Sequence, residues 1–404
     1  MKRTVIINYR NLLVGGIENI IVSIIKNSIT QKHRIVWLCD INPQISSVYA
    51  ELLSTPNIER VPCDTHGVHW FKEPSMNLDG EENVIISFNL FDQVRALQIK
   101  KHYSQNDITA LYIVPHFTGG LVFPEQLFEG NNQVRNMAKK LYEEWINAGL
   151  VLYCGKRHIT ALEESYGLKI PMKFQKMLPA LENRPLFNDD LVRKRYHNGK
   201  FRIVSASRLE FPHKGFIVGL LNTVIRMKSD YPQIELYIIG EGEGDKVLTR
   251  ILDNTEDLVK ADIHVLPNMA KDELVSFYQT CNLSVSVAGC LSLGAKTGLL
   301  SLPARHYTYD CEVYGFTPSS KDMTLESKPG KDVEEYIKQA IDMSEEEYLE
   351  ACKKTYNSYE TTPIDREAYF HIMDVNKEYN ISRNAVMRVK SIFYAHKVRF
   401  LLHK

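Results

Sequence analysis

The feature that most constrains this chain is an alternation of short apolar runs with helical stretches that restarts after about residue 183. In the first half, residues 4–8, 34–38, 84–87, 111–114 and 150–153 have the composition of strands covered on both faces. Between the first two, Ile17, Ile20, Ile21, Ile24 and Ile25 recur at the spacing of one helical face, so a helix lying on a sheet is expected. In the second half, strands are expected at 202–205, 236–239, 263–266, 283–287 and 299–302, with helices over 218–227 and 272–280. Such alternation implies an α/β chain of two Rossmann-like domains, each with a doubly wound parallel sheet. The polar stretch 182–200, which carries Asn183, Pro185 and Asn188, reads as the linker. The expected organisation is a first domain over 1–182, a second over 183–364, and a helical tail over 365–404 returning toward the first. The two halves are expected to face a central cleft, where the carboxyl ends of the strands would meet a ligand.

Composition narrows the possible partners. Lys+Arg and Asp+Glu are both 49, so no global field draws the chain to nucleic acid or to a membrane. The seven cysteines are scattered, odd in number and without metal-ligand spacing, which suits reduced core thiols in a cytoplasmic protein that binds no metal. No signal peptide is expected before the first strand, and no apolar run is long enough to span a bilayer. The tail differs in character. Ser344 and Glu347 form a capping box for a helix reaching about Tyr359, and Pro363 ends that run. From 383 to 404 there are six Lys/Arg, two His and no acid, interleaved with Val386, Val389, Ile392, Phe393, Val398, Phe400, Leu401 and Leu402. That pattern suits a helix lying on an anionic membrane surface, and it equally suits a helix packed back on the first domain.

Several residues stand where chemistry could be done. Gly15 and Gly16 follow the first strand, with Glu18 in the first turn of the next helix. Backbone there can approach a ligand, and the helix N-terminus favours anionic groups. His116 ends the fourth strand in Leu-Tyr-Ile-Val-Pro-His-Phe, placed either to contact a substrate or to pack at the strand end. Arg208 and Lys214 sit in Ser-Arg-Leu-Glu-Phe-Pro-His-Lys-Gly, where a guanidinium fork and a compact ammonium can clamp a diphosphate. A second glycine loop, with Gly240, Glu241, Gly242 and Gly244, could complete a phosphate cradle. Lys296, between Gly294 and Gly298, is either a further cation for a phosphate or carboxylate or a solvated lysine.

Taken in order, these pieces resemble retaining GT-B glycosyltransferases of family four over nearly the whole chain. The most specific part is Val-Ser-Ala-Ser-Arg-Leu-Glu-Phe-Pro-His-Lys-Gly-Phe, followed about thirty residues later by Leu-Tyr-Ile-Ile-Gly-Glu-Gly. The resemblance implies a GT-B fold with the acceptor on the first domain and a nucleotide-sugar on the second. It implies that Arg208 and Lys214 hold the donor diphosphate, that His116 lines the sugar site, and that Gly15 and Gly16 approach the donor or acceptor. It further implies sugar transfer with retained configuration, no metal and no cofactor besides the nucleotide-sugar, which is the substrate. A hexose passed to a cell-surface polysaccharide or a lipid-linked oligosaccharide, by an enzyme peripheral to the inner membrane face, is the expected reaction. The chain also departs from the family. Two acids, eight positions apart, are usual in the family after the fifth strand of the second domain, yet no Asp or Glu occurs between Glu273 and Asp310. That gap suits a second expectation, a non-catalytic GT-B subunit that stabilises or recruits a partner transferase, and a nucleotide-sugar epimerase of the same architecture is a third.

Overall fold

A computed structural model of the chain describes residues 3–63, 65–66, 69–70, 74–78, 82–103, 108, 110–115, 132–178, 184–317 and 329–359. His116, the 182–183 boundary and the 365–404 tail lie outside these residues. The chain divides into two compact units, one built on Met1–Leu13 and Ile17–Glu182, the other on Asn183–Thr361.

In the first unit, β1 (Arg3–Asn8) leads through α1 (Gly16–Thr30) to β2 (Arg34–Asp40) and β3 (Ile58–Cys63). The chain then forms β4 (Glu82–Ser87), α2 (Leu90–His102) and β5 (Ala110–Ile113). These five strands form one sheet, paired in parallel throughout in the order β3-β2-β1-β4-β5, so the strand order reverses between β1 and β4, and residues 65–66 and 69–70 form a separate antiparallel pair. The central strands are apolar because both faces are covered, and Val5, Ile6, Ile7, Ile85 and Ile86 are fully buried. Beyond α3 (Asn132–Asn147), the run expected at 150–153 shortens to β6 (Leu152–Tyr153). Val151 bridges back to Ile113, and α4 (Lys156–Tyr166) precedes β7 (Lys176–Met177), the parallel partner of β6.

The second unit repeats the plan. After α5 (Asp189–Tyr196) come β8 (Phe201–Ala206), α6 (Phe216–Met227), β9 (Ile234–Ile239), α7 (Asp245–Asp253) and β10 (Ile263–Leu266). Then follow α8 (Lys271–Tyr278), β11 (Leu283–Ser286), α9 (Ala288–Lys296) and β12 (Leu300–Pro303), with α10 (Val333–Asp342) and α11 (Glu345–Asn357) last. The sheet order is β10-β9-β8-β11-β12, again wholly parallel, and it reverses between β8 and β11. The capping box read at Ser344 is present at the start of α11. At the amino edge of the sheet, the Tyr348 hydroxyl donates to the Asn282 carbonyl (2.7 Å), and the Asn282 amide donates to the Arg195 carbonyl (3.1 Å). These bonds tie α11 and α5 to the strand ends and satisfy backbone groups that burial would otherwise orphan. Among the described residues, no helix is long and apolar enough to cross a membrane.

Helix α6 is buried along most of its length, with Phe216, Ile217, Leu220, Leu221 and Val224 fully enclosed. It lies so close to the chain after β12 that a Cβ on Gly219 would stand 2.3 Å from the Cys311 nitrogen. Alanine in a helix interior normally gains up to about 1 kcal/mol over glycine. Here Gly219→Ala is expected to destabilise by about 2–3 kcal/mol, because backbone rather than a flexible side chain must yield. Urea unfolding followed by circular dichroism will show it as a lowered midpoint.

Candidate functional site

In a doubly wound sheet, the carboxyl ends of the two strands where the order reverses leave a crevice that helices do not cover. In the second unit that place lies between β8 and β11. The loop leaving β8 is held by main-chain bonds. Ser207 N donates to Ile239 O (2.9 Å), Leu209 N to Glu241 O (3.0 Å), and Gly244 N returns to Leu209 O (2.8 Å). Leu209 is sealed in the core, and its neighbours Arg208 and Glu210 are turned outward, paired at 3.2 Å with side chains 36% and 47% exposed.

The second glycine loop explains why this arrangement is so fixed. Gly240 and Gly242 have φ of 155° and 153°, and Cβ atoms on them would lie 1.9 Å from Ser207 O and 2.6 Å from Leu209 O. These glycines therefore let one loop backbone rest directly on the other. The outward Glu241 carboxylate accepts from the Asn268 side-chain amide (2.9 Å) and backbone N–H (3.4 Å).

Lys214 closes the loop at the start of α6, its N–H bonded to Glu210 O at 2.8 Å. Its ammonium has no hydrogen-bond or ion-pair partner among the described residues. Burial lowers its pKa to about 8. The Arg208 charge acts in the same direction, and Cys290 and Glu210 oppose it. Cys290 belongs to the first turn of α9, at the end of β11, so the ammonium and that helix start share the crevice. There Ala288 holds a φ of 48°, no side chain caps the helix, and a Cβ on Gly289 would meet nothing within 4 Å. His306, on the loop after β12, stacks on His213 with ring centroids 5.0 Å apart. Burial first, and then the charge of Lys214, hold its imidazole down to about 3, so it adds no positive charge near neutral pH.

The structure thus brings Arg208, Lys214 and the Gly240–Gly242 turn together at one sheet edge. Lys296 is not with them. It ends α9, whose nine residues span about 12 Å, and it leads into the amino end of β12 at the opposite edge. Its pKa is lowered by burial and by nearby Arg184. Gly15 is the last residue before α1, and Gly16 opens that helix. Glu18, 5% exposed, accepts a hydrogen bond from the Tyr9 hydroxyl at 3.0 Å. His116 lies outside the described residues. The sequence does not single out His306 and Cys290, which come from a loop and a helix start 76 or more residues beyond Lys214 and carry no spacing signal.

No protein-family model and no curated protein matches the chain. Solved structures do. Anabaena Alr3699/HepE in complex with UDP-glucose is 12% identical with a TM-score of 0.54, over 98% of this chain and 100% of that one. WaaG, a glycosyltransferase involved in lipopolysaccharide biosynthesis, is 11% identical with a TM-score of 0.53, over 92% and 100%. S. aureus MnaA, solved with UDP, is 13% identical with a TM-score of 0.52, over 90% and 93%. The likeness is one of fold, and the chain has the α/β GT-B fold with two Rossmann-like parallel sheets.

The lowered pKa of Lys214 sets a pH dependence for any anion bound here. Below about 8 the ammonium is charged, and above it the amine is neutral and its attraction is lost. Sulfate, whose charge is constant over this range, should therefore bind progressively more weakly as pH rises through that value. At pH 8.5 binding should take up protons, seen by calorimetry in buffers of different ionisation enthalpy, and Lys214→Arg should abolish the uptake.

Proposed function

We propose that the chain is a glycosyltransferase that binds a nucleotide-sugar in its second unit and moves the sugar to a glycan or lipid-linked acceptor. One observation carries this reading, the Lys214 ammonium, which has no hydrogen-bond or ion-pair partner among the described residues and lies beside Arg208 in the crevice between β8 and β11. A desolvated cation without an acid partner costs free energy that a bound anion would recover. Structures of the same fold contain UDP-glucose and UDP, which supports a nucleoside diphosphate as that anion. Arg208 and Lys214 would face the diphosphate and stabilise the charge that grows on it as the sugar leaves. With two cations placed for that work, the reaction we infer is metal-independent, with retained configuration and no cofactor besides the donor. The acceptor assignment, a polysaccharide or lipid-linked oligosaccharide at the inner membrane face, rests on the basic 383–404 segment of the sequence.

A second reading is favoured by a specific feature. The turn into α9 offers Ala288, Gly289 and Cys290, and no acid to grip a sugar or ribose hydroxyl. A charge-assisted bond of that kind is worth roughly 1.5–3 kcal/mol, so a chain without it suits a non-catalytic subunit that recruits or stabilises a partner transferase.

Calorimetry with UDP and GDP, followed by turnover of their sugars, separates these outcomes. Arg208→Ala and Lys214→Ala should each weaken nucleoside-diphosphate binding about ten- to hundredfold. Wild-type affinity in both variants would overturn the site. Nucleotide binding without consumption of any donor sugar would assign the chain to the second reading.

A further inference from the structure

Tyr307 is out of place for a residue that only connects elements. It holds a φ of 59°, a region that glycine or asparagine fills at less cost, yet its large ring is 59% exposed. The surrounding structure fixes it there. Its N–H donates to His213 O at 3.2 Å, and its ring stacks on His213 with centroids 4.7 Å apart and planes 25° apart. His213 in turn stacks on the half-buried His306, and Tyr309, two residues on, meets Phe211 edge to face at 6.2 Å. The Thr308 carbonyl is pressed against the start of α6, where a Cβ on Gly215 would lie 2.5 Å away. Strain maintained by so many contacts points to a use for the side chain it displays.

We propose that Tyr307 is a stacking platform for the sugar ring of the donor, an inference that rests on the diphosphate site above. Lys214 is the residue after His213, whose ring carries Tyr307, so the platform adjoins the diphosphate itself. In a nucleoside-diphosphate sugar the pyranose is bonded directly to the diphosphate, whereas the base is one ribose further away. The ring in reach of Tyr307 is therefore the pyranose. Its axial C–H bonds present a weakly positive, apolar face, which complements the negative face of the phenol ring. With no acid in the turn into α9, an aromatic contact supplies part of the sugar affinity that a carboxylate would give.

The test compares UDP with UDP-glucose, or GDP with GDP-mannose, using whichever pair the full chain binds. Tyr307→Asn keeps the backbone conformation accessible and removes the ring, and Tyr307→Phe keeps the ring. The asparagine variant should bind the nucleotide-sugar about three- to tenfold more weakly while nucleotide affinity stays within about twofold, and phenylalanine should behave as wild type. An equal loss for nucleotide and nucleotide-sugar, or no loss for either, would overturn the platform. Failure of the wild-type chain to bind any of the four probes would instead remove the diphosphate site on which the platform depends.

Discussion

The second unit depends on one backbone resting against another. Ser207 and Leu209 carbonyls occupy the space that side chains at 240 and 242 would need, and main-chain bonds in both directions join the two loops. With that contact made, the loop after β8 has little choice of path. Leu209 enters the core, the residues beside it face outward, and Lys214 arrives at the start of α6. Precision of this kind comes from elements tied to a sheet, and it positions charge better than a free loop could.

The electrostatics follow from that placement. Arg208 keeps solvent and Glu210 beside it, so its charge costs little. Lys214 is more enclosed and has no ion-pair partner among the described residues, and burial disfavours its charged form and lowers its pKa to about 8. His306, packed against His213 and forced neutral, lines the crevice without changing its sign. The positive charge at this place is therefore local, in a chain whose acids and bases balance overall.

The parallel strands were legible because burial on both faces leaves an unbroken apolar signature, as at Ile6 and Ile85. Edges were harder. Residues 58–63 (Ile-Glu-Arg-Val-Pro-Cys) form an edge strand whose half-exposed, charged sequence and Pro62 hide it, and β12 begins one residue later than the apolar run suggests. The cations of the site were visible as Arg208 and Lys214, since they follow a strand and precede a helix. The glycine loop was read as a phosphate cradle, and its close contact with Ser207 and Leu209 could not be seen without coordinates. Lys296 lay in an attractive glycine-flanked setting, but a helix carries it to the other sheet edge. His306 and Tyr307 had no sequence signal, because what gives them meaning is the stack on His213.

A lysine with a pKa near 8 is a far better nucleophile at that pH than ordinary surface lysines, and a bound diphosphate would shield it. Competitive acylation of all lysines at pH 8, read by peptide mass spectrometry with and without UDP or GDP, tests the central claim most directly. The account predicts that Lys214 is among the fastest residues labelled and that saturating nucleotide suppresses its labelling while other lysines are unaffected. Labelling of Lys214 that is unchanged at saturating nucleotide would contradict it.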